Sequence, residues 1–275
     1  MTAYDGWTTV APSTGAIRGL MVLHVLSTVE DGAGMTTAAM QLATATAARG
    51  VCTEVTGPLR RGEKPCGRGS IHGEDLRVSP IMQGGGPAMH LASAVAVCRR
   101  VAAFARAAAG CQTPAVVHVH GVWMPVNIAA SVASRWQRIA YVVSTHGMLL
   151  PEAMAKSRWR KRAVCATVVR RVLERAAAVH VTSEAERAAV VALAPRARTV
   201  LIPWGVAVPP RKPSFPMPDR VAGFLGRLLP IKGVDLLIDA WAAARPTGWR
   251  LRLVGADTEG HGMVLQHQID RYGLR

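Results

Sequence analysis

The sequence predicts an α/β fold built on a parallel sheet with crossover helices. Short β-branched runs alternate with longer helical patterns along nearly the whole chain. Half of the 275 residues are apolar, which is enough for a sizeable hydrophobic core. Six prolines lie between residues 203 and 218, a density that suits neither a helix nor a central strand. We interpret this stretch as a stiff connector and expect two domains.

The first domain is predicted over residues 20–202, after an N-terminal tail of residues 1–19. It opens with a strand at residues 20–26 and a glycine-containing loop. The next helix has an apolar stripe formed by Met35, Ala38, Ala39 and Leu42.

The rest of this domain repeats the alternation. Strands are expected at residues 51–55, 76–81, 116–119, 139–144, 178–182 and 199–202. Helices are expected at residues 87–109, 126–138, 157–177 and 183–194, the first with a stripe of Leu91, Val95, Cys98 and Ala102. Residues 57–73 are rich in glycine, proline and charge, and they predict an exposed loop.

A second domain is predicted to start at residue 221, after a linker of residues 203–220. A strand at residues 221–226 leads through a basic loop into a helix with a stripe of Val234, Leu237, Ile238 and Trp241. One more strand and helix follow. Because two short units cannot close a sheet of the usual width, we expect residues 221–275 to be the incomplete opening of a domain.

The chain is strongly basic, with 33 lysines and arginines against 17 acidic residues. A charge of +16 favours a polyanionic partner, an anionic membrane surface or a phosphorylated substrate. Residues 156–176 concentrate eight basic side chains and Trp159 against one glutamate. This segment suits either an anionic membrane surface or a solvated helix face. Nucleic acid is not expected, because the sequence has 13 aromatic residues and no recognisable groove-reading or stacking module.

The five cysteines form no C-x-x-C pair, and nothing at the N-terminus has the pattern of an export signal. The longest uncharged stretch, residues 107–134, is interrupted by prolines, histidines and an asparagine, so no transmembrane helix is predicted. We expect a cytoplasmic protein that can lie peripherally at the inner face of the membrane.

Two loops at predicted strand–helix junctions have features that suit anions. Arg227 and Lys232 flank a loop beside a helix start, where a guanidinium, an ammonium and free N–H groups could hold a diphosphate. A solvated basic loop is an equal alternative. Gly32 and Gly34 would let a ligand approach the backbone, although tight strand–helix connections also use glycine.

Histidines follow two successive predicted strands, where parallel sheets bind ligands. His120, Gly121 and Trp123 follow one strand, and His146 and Gly147 follow the next. We expect both histidines beyond the strand ends, where an imidazole can hydrogen-bond a sugar or phosphate. His118 and His120 are expected on opposite faces of their strand, so that they do not share a metal ion, and His118 is interpreted as a core residue.

Thr182, Ser183 and Glu186 form a pattern that suits a capping box at a helix start. We favour this structural interpretation over a catalytic carboxylate. No general acid–base pair or nucleophile constellation is recognisable elsewhere in the sequence.

The segments VLHVLSTVEDGAGMTTAAMQLA, VVHVHGVWMPVNIAA, YVVSTHGML, AVHVTSEAE, VLIPWGV and FLGRLLPIKGVDLLIDAW resemble retaining glycosyltransferases of the GT-B fold, family 4 (group 1) type. The resemblance covers residues 20 to about 255, in that family's order. It implies two Rossmann-like domains and hexosyl transfer from a nucleotide-sugar to a polysaccharide or lipid-linked acceptor.

The resemblance also assigns roles to the candidate residues. Arg227 and Lys232 would hold the donor diphosphate, Gly32 and Gly34 would approach donor or acceptor, and His146 would lie by the transferred sugar. His120, Gly121, Trp123 and Gly147 would contact the acceptor side. The sequence has no D-x-D motif, so no metal ion and no other cofactor is expected beside the nucleotide-sugar.

The sequence departs from the family pattern in three places. Trp204 replaces an asparagine, Ala33 interrupts a glycine pair, and the E-x7-E motif that contacts the donor is absent. We therefore expect weak or no transferase activity from this chain. The alternatives are a noncatalytic remnant or a binding partner of a full-length glycosyltransferase, and an epimerase or phosphorylase on the same fold.

Overall fold

The computed structural model describes residues 19–30, 34–60, 62, 76–83, 88–155, 165–205, 220–257 and 259–274. The chain divides into two compact units, Met1–Gly205 and Val206–Arg275. Most of the predicted linker, residues 206–219, lies outside the described residues.

The first unit is built on a parallel sheet, which has seven strands in the described residues. The strand order is β3-β2-β1-β4-β5-β6-β7. The strands are β1 (Met21–Leu26), β2 (Cys52–Arg60), β3 (Leu76–Gln83), β4 (Ala115–His120), β5 (Ala140–Ser144), β6 (Ala178–Val181) and β7 (Thr199–Leu201). All six strand pairs are parallel, so their carboxyl ends meet at one edge of the sheet. The chain order doubles back beside β1, as in doubly wound folds.

Helices connect these strands in the order that the sequence predicts. They are α1 (Gly34–Ala47), α2 (Ala88–Gly110), α3 (Pro125–Trp136), the short α4 (Pro151–Ala155), α5 (Arg170–Arg175), which continues a π-helical turn at Cys165–Val169, and α6 (Glu184–Leu193). The predicted helix at residues 157–177 is therefore described only from residue 165 onward.

The two faces of the sheet are covered differently. On one face, Leu23, Val25, Val117 and Val119 join the larger core, to which α2, α3, α5 and α6 contribute. On the other face, α1 packs against Leu26 and β2 in a smaller core.

Two predicted helix stripes are wrong. In α1 the buried residues are Thr36, Ala39, Met40, Ala43 and Ala47, so the stripe is rotated by about one residue. In α2, Leu91 and Val95 are exposed, and the buried side is formed instead by Val97, Val101 and Phe104. Both helices are rich in alanine, and small side chains on several faces make an apolar stripe ambiguous.

The predicted loop at residues 57–73 is also partly wrong, because β2 continues to Arg60. β2 stays paired with β3 up to the partners Arg60 and Gln83. Gly57 lies inside this strand. A Cβ at this position would lie 2.7 Å from the Leu26 carbonyl oxygen, so the strand requires glycine here. The glycine allows close backbone approach.

The second unit contains two parallel strands in its described part, β8 (Arg220–Leu225) and β9 (Trp249–Val254). A 3₁₀ turn at Pro230–Lys232 leads into α7 (Val234–Ala244), and α8 (His261–Arg271) follows β9. Val234, Ile238 and Leu265 form its small core. Val234 and Ile238 of the predicted stripe are thus buried, while Leu237 and Trp241 are half-buried. The α/β prediction is therefore confirmed in both units.

Candidate active site

The candidate site lies at the carboxyl edge of the sheet, beyond β4 and β5. These strands are neighbours, with His120 opposite Ser144 in register. The Gly121 N–H donates to the Ser144 carbonyl at 2.8 Å, which continues the pairing one residue into the loop. The loops that carry Gly121, Trp123, His146 and Gly147 therefore leave the sheet side by side.

Five histidines gather on the α1 face of the sheet near this edge. They are His24 on β1, His118 and His120 on β4, His180 on β6 and His146 after β5. The expectation that His118 and His120 point to opposite faces is wrong, because residues two apart in a strand lie on the same face. Their ring centroids are 4.2 Å apart and stacked.

His120 is not beyond the strand end, as expected, but is the last residue of β4 and is completely buried. It bridges two other histidines. Its Nε2 is 3.0 Å from Nδ1 of His24, and its Nδ1 is 3.1 Å from Nε2 of His146. A side chain with 0% exposed surface does not reach a ligand directly, so the predicted contact of His120 with substrate does not fit this structure.

A second hydrogen-bond chain runs through His118, Ser144 and His180. The Ile202 carbonyl can only accept, so His180 Nε2 donates to it at 2.7 Å. In the neutral ring, His180 Nδ1 then accepts from the Ser144 hydroxyl at 2.8 Å. Ser144 Oγ in turn accepts from His118 Nε2 at 2.7 Å. The chain thus fixes the neutral tautomer of His118, with its proton on Nε2. His118 is half-buried, and its prediction as a hydrogen-bonded core residue agrees with these contacts.

Burial keeps four of these imidazoles, those of His24, His118, His120 and His146, neutral near pH 7. It lowers the pKa of His24 to about 4 and the pKa values of His118 and His120 well below 6.5, with repulsion from neighbouring histidines adding to the last two. Burial also lowers the pKa of His146 to about 4, although nearby Glu186 opposes the shift. Near neutral pH, His146 therefore acts as a neutral hydrogen-bonding group.

His146 and Gly147 both have left-handed backbone conformations, with φ of 50° and 70°. For a histidine this conformation is strained, and it persists only where the surroundings hold it. Glu186 supplies that hold. Its Oε1 accepts from the Gly147 N–H at 2.6 Å and from the Thr145 hydroxyl at 2.5 Å.

Glu186 is a buried carboxylate at the start of α6. The predicted helix cap forms, with Ser183 Oγ accepting from the Glu186 N–H at 3.2 Å. Oε2 of Glu186 reaches back to the Thr182 N–H and hydroxyl at 2.7 and 2.9 Å. Burial alone would raise the pKa of Glu186, but hydrogen bonds from Gly147, Thr145 and Thr182 outweigh it and hold the pKa below its ordinary value.

Trp204 covers the His146 ring from the segment after β7. The two rings are stacked, with centroids 5.5 Å apart and 7° between their planes. The same indole meets His180 edge-on at 5.2 Å. Trp204, at which the sequence departs from the family pattern, therefore packs directly against the candidate site.

Gly121 and Trp123 hold the neighbouring loop in place. Gly121 has φ of 101°, and a Cβ there would lie 3.2 Å from both Met148 Cε and Ser27 Oγ. The Trp123 indole N–H donates to the Met148 carbonyl at 3.2 Å. Both residues thus tie the loop after β4 to the loop that carries His146.

Of the predicted glycine pair, only Gly34 can be placed, since Gly32 lies outside the described residues. Gly34 is exposed at the start of α1, and a Cβ at this position would meet no atom within 4 Å. Packing therefore does not require glycine here.

Arg227 and Lys232 lie in the second unit, in the loop between β8 and α7. Both side chains are exposed, and neither forms an ion pair with any residue that the structure describes. The loop is packed closely against the end of β9, because a Cβ on Gly255 would lie 1.7 Å from the Gly226 carbonyl oxygen. Gly233, with φ of 64°, then turns the chain into α7.

The basic segment of residues 156–176 is described only in part. Residues 156–164, including Trp159, lie outside the described residues. Arg170 pairs with Glu174 at 3.0 Å, while Arg171 and Arg175 are exposed. In the described part of the chain, no helix has the length and apolar character needed to cross a bilayer.

A Rossmann-like parallel sheet, followed by a second α/β unit, is the architecture of the GT-B class of glycosyltransferases. Residues 33–205, more than half of the chain, match the glycosyl transferase 4-like domain, and the chain belongs to this family. No curated protein matches the chain significantly.

Solved structures with the same fold include sucrose-phosphate synthase from Thermosynechococcus elongatus. It matches with a TM-score of 0.64 at 20% identity, over 92% of this chain and 68% of its own. UGT89C1 of Arabidopsis thaliana, complexed with UDP, has a TM-score of 0.47 at 11% identity, over 90% and 73% of the two chains. MurG of Acinetobacter baumannii has a TM-score of 0.45 at 11% identity, over 88% of this chain and 68% of its own.

Proposed function

We propose that this glycosyltransferase uses a nucleotide-sugar donor and transfers a hexosyl group to a saccharide or lipid-linked acceptor with retention of configuration. The observation that carries the proposal is the position of His146, which Glu186 holds in a strained conformation at the carboxyl edge of the sheet. The retaining mode rests on the family resemblance.

His146 would lie beside the transferred sugar as a neutral hydrogen-bonding group. With a pKa of about 4 it is a weak base at neutral pH, which argues against a role in removing the acceptor proton. Its Nε2 contacts His120, so Nδ1 is the nitrogen left for a ligand. His120 would then be a positioning residue for His146. Gly121, Trp123 and Gly147 would shape the acceptor side by holding the two loops together.

Arg227 and Lys232 would hold the donor diphosphate in the second unit. Their exposure and their lack of ion pairs among the described residues leave both cations available to an anion. α7 begins directly after Lys232, and its first N–H groups add a partial positive charge. Gly34, and Gly32 with it, would let donor or acceptor approach the start of α1. No metal ion bridging the diphosphate is expected, because these cations can supply the charge.

We further propose that turnover by this chain is weak. Among residues 1–275, Glu259 is the only glutamate after Arg227, so the paired glutamates of the family's donor site are not among these residues. The second candidate is a noncatalytic remnant or a binding partner of a full-length glycosyltransferase.

Calorimetric titration with several nucleoside diphosphates and nucleotide-sugars tests the donor site. Arg227→Ala and Lys232→Ala should each lower the affinity about tenfold or more, as expected for loss of a charge-assisted contact. Arg252→Ala, an exposed cation on β9 of the same unit, is the matched control and should bind like the native chain. Equal affinity of all four proteins would overturn the phosphate role.

A donor-consumption assay with the same nucleotide-sugars separates the two candidate functions. Slow hydrolysis or transfer that disappears in His146→Ala supports a weak transferase. Binding without any turnover supports the noncatalytic candidate, and brisk turnover would contradict the proposed loss of activity.

The basic segment of residues 156–176 would bind the cytoplasmic face of a membrane. This binding would place the first unit close to a lipid-linked acceptor. Attraction to anionic lipid makes the free energy of membrane binding more favourable by about 1 kcal/mol for each cation near the surface. Sedimentation with phosphatidylserine vesicles at physiological salt should show binding that Arg170→Ala, Arg171→Ala and Arg175→Ala together reduce. Absence of binding would leave the segment as a solvated helix face.

A further inference from the structure

We propose that His24, His118 and His120 form a binding site for one late first-row divalent metal ion, such as Zn²⁺ or Cu²⁺. One ring nitrogen from each of the three residues lies within 4.8 Å of the other two. In tetrahedral coordination with bonds of about 2.0 Å, ligand nitrogens are about 3.3 Å apart. Binding therefore requires the stacked rings of His118 and His120 to rotate so that their nitrogens converge on one ion. Three imidazoles are a ligand set that such ions prefer.

The backbone brings these rings together through the register of β1 and β4. His24 lies opposite His118, and Leu26 lies opposite His120, so the three imidazoles share one face of two adjacent strands. They are placed by the rigid centre of the sheet rather than by a loop.

The hydrogen bonds around the cluster orient two of the ligands as in known metal sites. Metal-bound histidines usually donate their second ring N–H to an outer partner, which fixes the tautomer. Here His118 Nε2 donates to Ser144, which leaves Nδ1 with its lone pair. If His120 Nδ1 donates to His146, its Nε2 faces His24 with a lone pair.

His24 presents its Nδ1 to the cluster, 3.0 Å from Nε2 of His120. The ring is 1% exposed, and its Nε2 has no hydrogen-bond partner among the described residues. An ion between His24 and His120 would therefore take Nδ1 of His24, and the single proton of this ring would lie on Nε2. Three neutral imidazoles bind the ion in this way without releasing a proton.

A metal ion can reach the cluster at one of its three rings. His24 and His120 are buried, whereas His118 is half-buried and gives the cluster its contact with solvent. All three histidines belong to the first unit, and the test of the site does not depend on transferase activity.

Tag-free protein, dialysed against EDTA and then titrated with Co²⁺ and Zn²⁺, tests the proposal. The expected result is one equivalent bound, with Co²⁺ absorption typical of nitrogen ligands and without thiolate charge-transfer bands. His118→Gln, at the half-buried position, should lower the affinity more than tenfold. Ser144→Ala, which removes the outer partner of His118, should lower it about tenfold.

His90→Gln and His267→Gln change exposed histidines outside the cluster and serve as matched controls. Both should bind like the native chain. Circular dichroism before titration identifies any variant that fails to fold, and imidazole ¹H–¹⁵N spectra of the native chain give a second readout. In these spectra Zn²⁺ should shift the ring nitrogens of the cluster alone. Binding that is absent, that survives His118→Gln, or that is lost equally in His90→Gln would overturn the proposal.

Discussion

The carboxylate of Glu186 accepts the backbone N–H of Gly147 at 2.6 Å, across 39 residues of sequence. This bond joins the first turn of α6 to the loop after β5. The same carboxylate also binds Thr145 and Thr182, so a single buried charge connects the carboxyl ends of β5 and β6. The geometry of His146 depends on it.

Glu186→Gln should destabilise the first unit by about 2–3 kcal/mol. The amide retains the size of the side chain but replaces one acceptor oxygen by an NH₂ group facing buried donors, and bonds to a charged acceptor are the stronger ones. Urea unfolding followed by far-UV circular dichroism measures the loss. Glu184→Gln, two residues earlier and exposed in an i,i+3 pair with Arg187, should unfold like the native chain. Equal stability of the two variants would show that the Glu186 bonds contribute little.

The buried histidines should make the protein less stable as the pH falls from 6.5 towards 4. His24 and His146 have folded-state pKa values of about 4, against 6.5 when unfolded, so in this range the unfolded chain binds more protons. Each residue then removes about 1.4 kcal/mol from the free energy of unfolding per pH unit. Urea midpoints measured in EDTA at pH 7.5, 6.5 and 5.5 check the slope. A free energy of unfolding that stays constant down to pH 5.5 would contradict the burial of both rings.

Much of the architecture could be predicted from local patterns. The β-branched runs and the helical stretches between them locate the strands to within one or two residues in most cases, as at Ala140–Ser144 and Ala178–Val181. The exception is β2, where Gly57 and Pro58 resemble a turn. The conformation of this segment is determined by its pairing with β3 and by the close approach of Leu26 to Gly57. Neither contact can be inferred from the local sequence.

The candidate site could be predicted less well, because its contacts join distant strands. His146 and Gly147 follow β5 at the carboxyl edge of the sheet, the position that the sequence predicts for them. The partnership of His24 with His120 depends on the register of β1 against β4, which a single sequence does not give. The shared face of His118 and His120, by contrast, was available from the two-residue strand period alone.

Glu186 illustrates the same limit. The capping pattern around Ser183 was recognisable and the cap forms. The larger role of the carboxylate, holding Thr145 and Gly147, needs β5 and β6 to be neighbours. In the sequence, the capping pattern already accounts for a glutamate three residues after Ser183, so no local signal indicates the second role.

Gly121→Ala should destabilise the first unit by about 1–3 kcal/mol. The position has φ of 101°, which strains any residue with a Cβ, and the added methyl would press on Met148 and Ser27. Gly110→Ala, at the end of α2 with open space around the site, is the matched control and should leave the stability unchanged or slightly raised. Thermal unfolding of the two variants compares them directly. A Gly121→Ala protein as stable as the Gly110→Ala protein would show that the loop relaxes without cost.

Trp204→Ala should raise the pKa of His146 from about 4 towards 6.5. The indole lies parallel to the imidazole at 5.5 Å and shields it from water, and desolvation is the main cause of the low pKa. Loss of the stacked pair should also lower the stability by about 1 kcal/mol. Titration of the imidazole resonances by NMR, with His146→Gln to assign the signal, measures the shift.

Two further substitutions separate shielding from general destabilisation. Trp204→Phe preserves an aromatic face over His146 and should keep its pKa low, whereas Trp204→Asn, which restores the residue of the family pattern, should behave like the alanine variant. Trp136→Ala, at the exposed end of α3, should change neither the pKa of His146 nor the stability. If the pKa stays near 4 in Trp204→Ala, the protein around Glu186 and His120 is sufficient to desolvate the ring, and the indole has only a packing role.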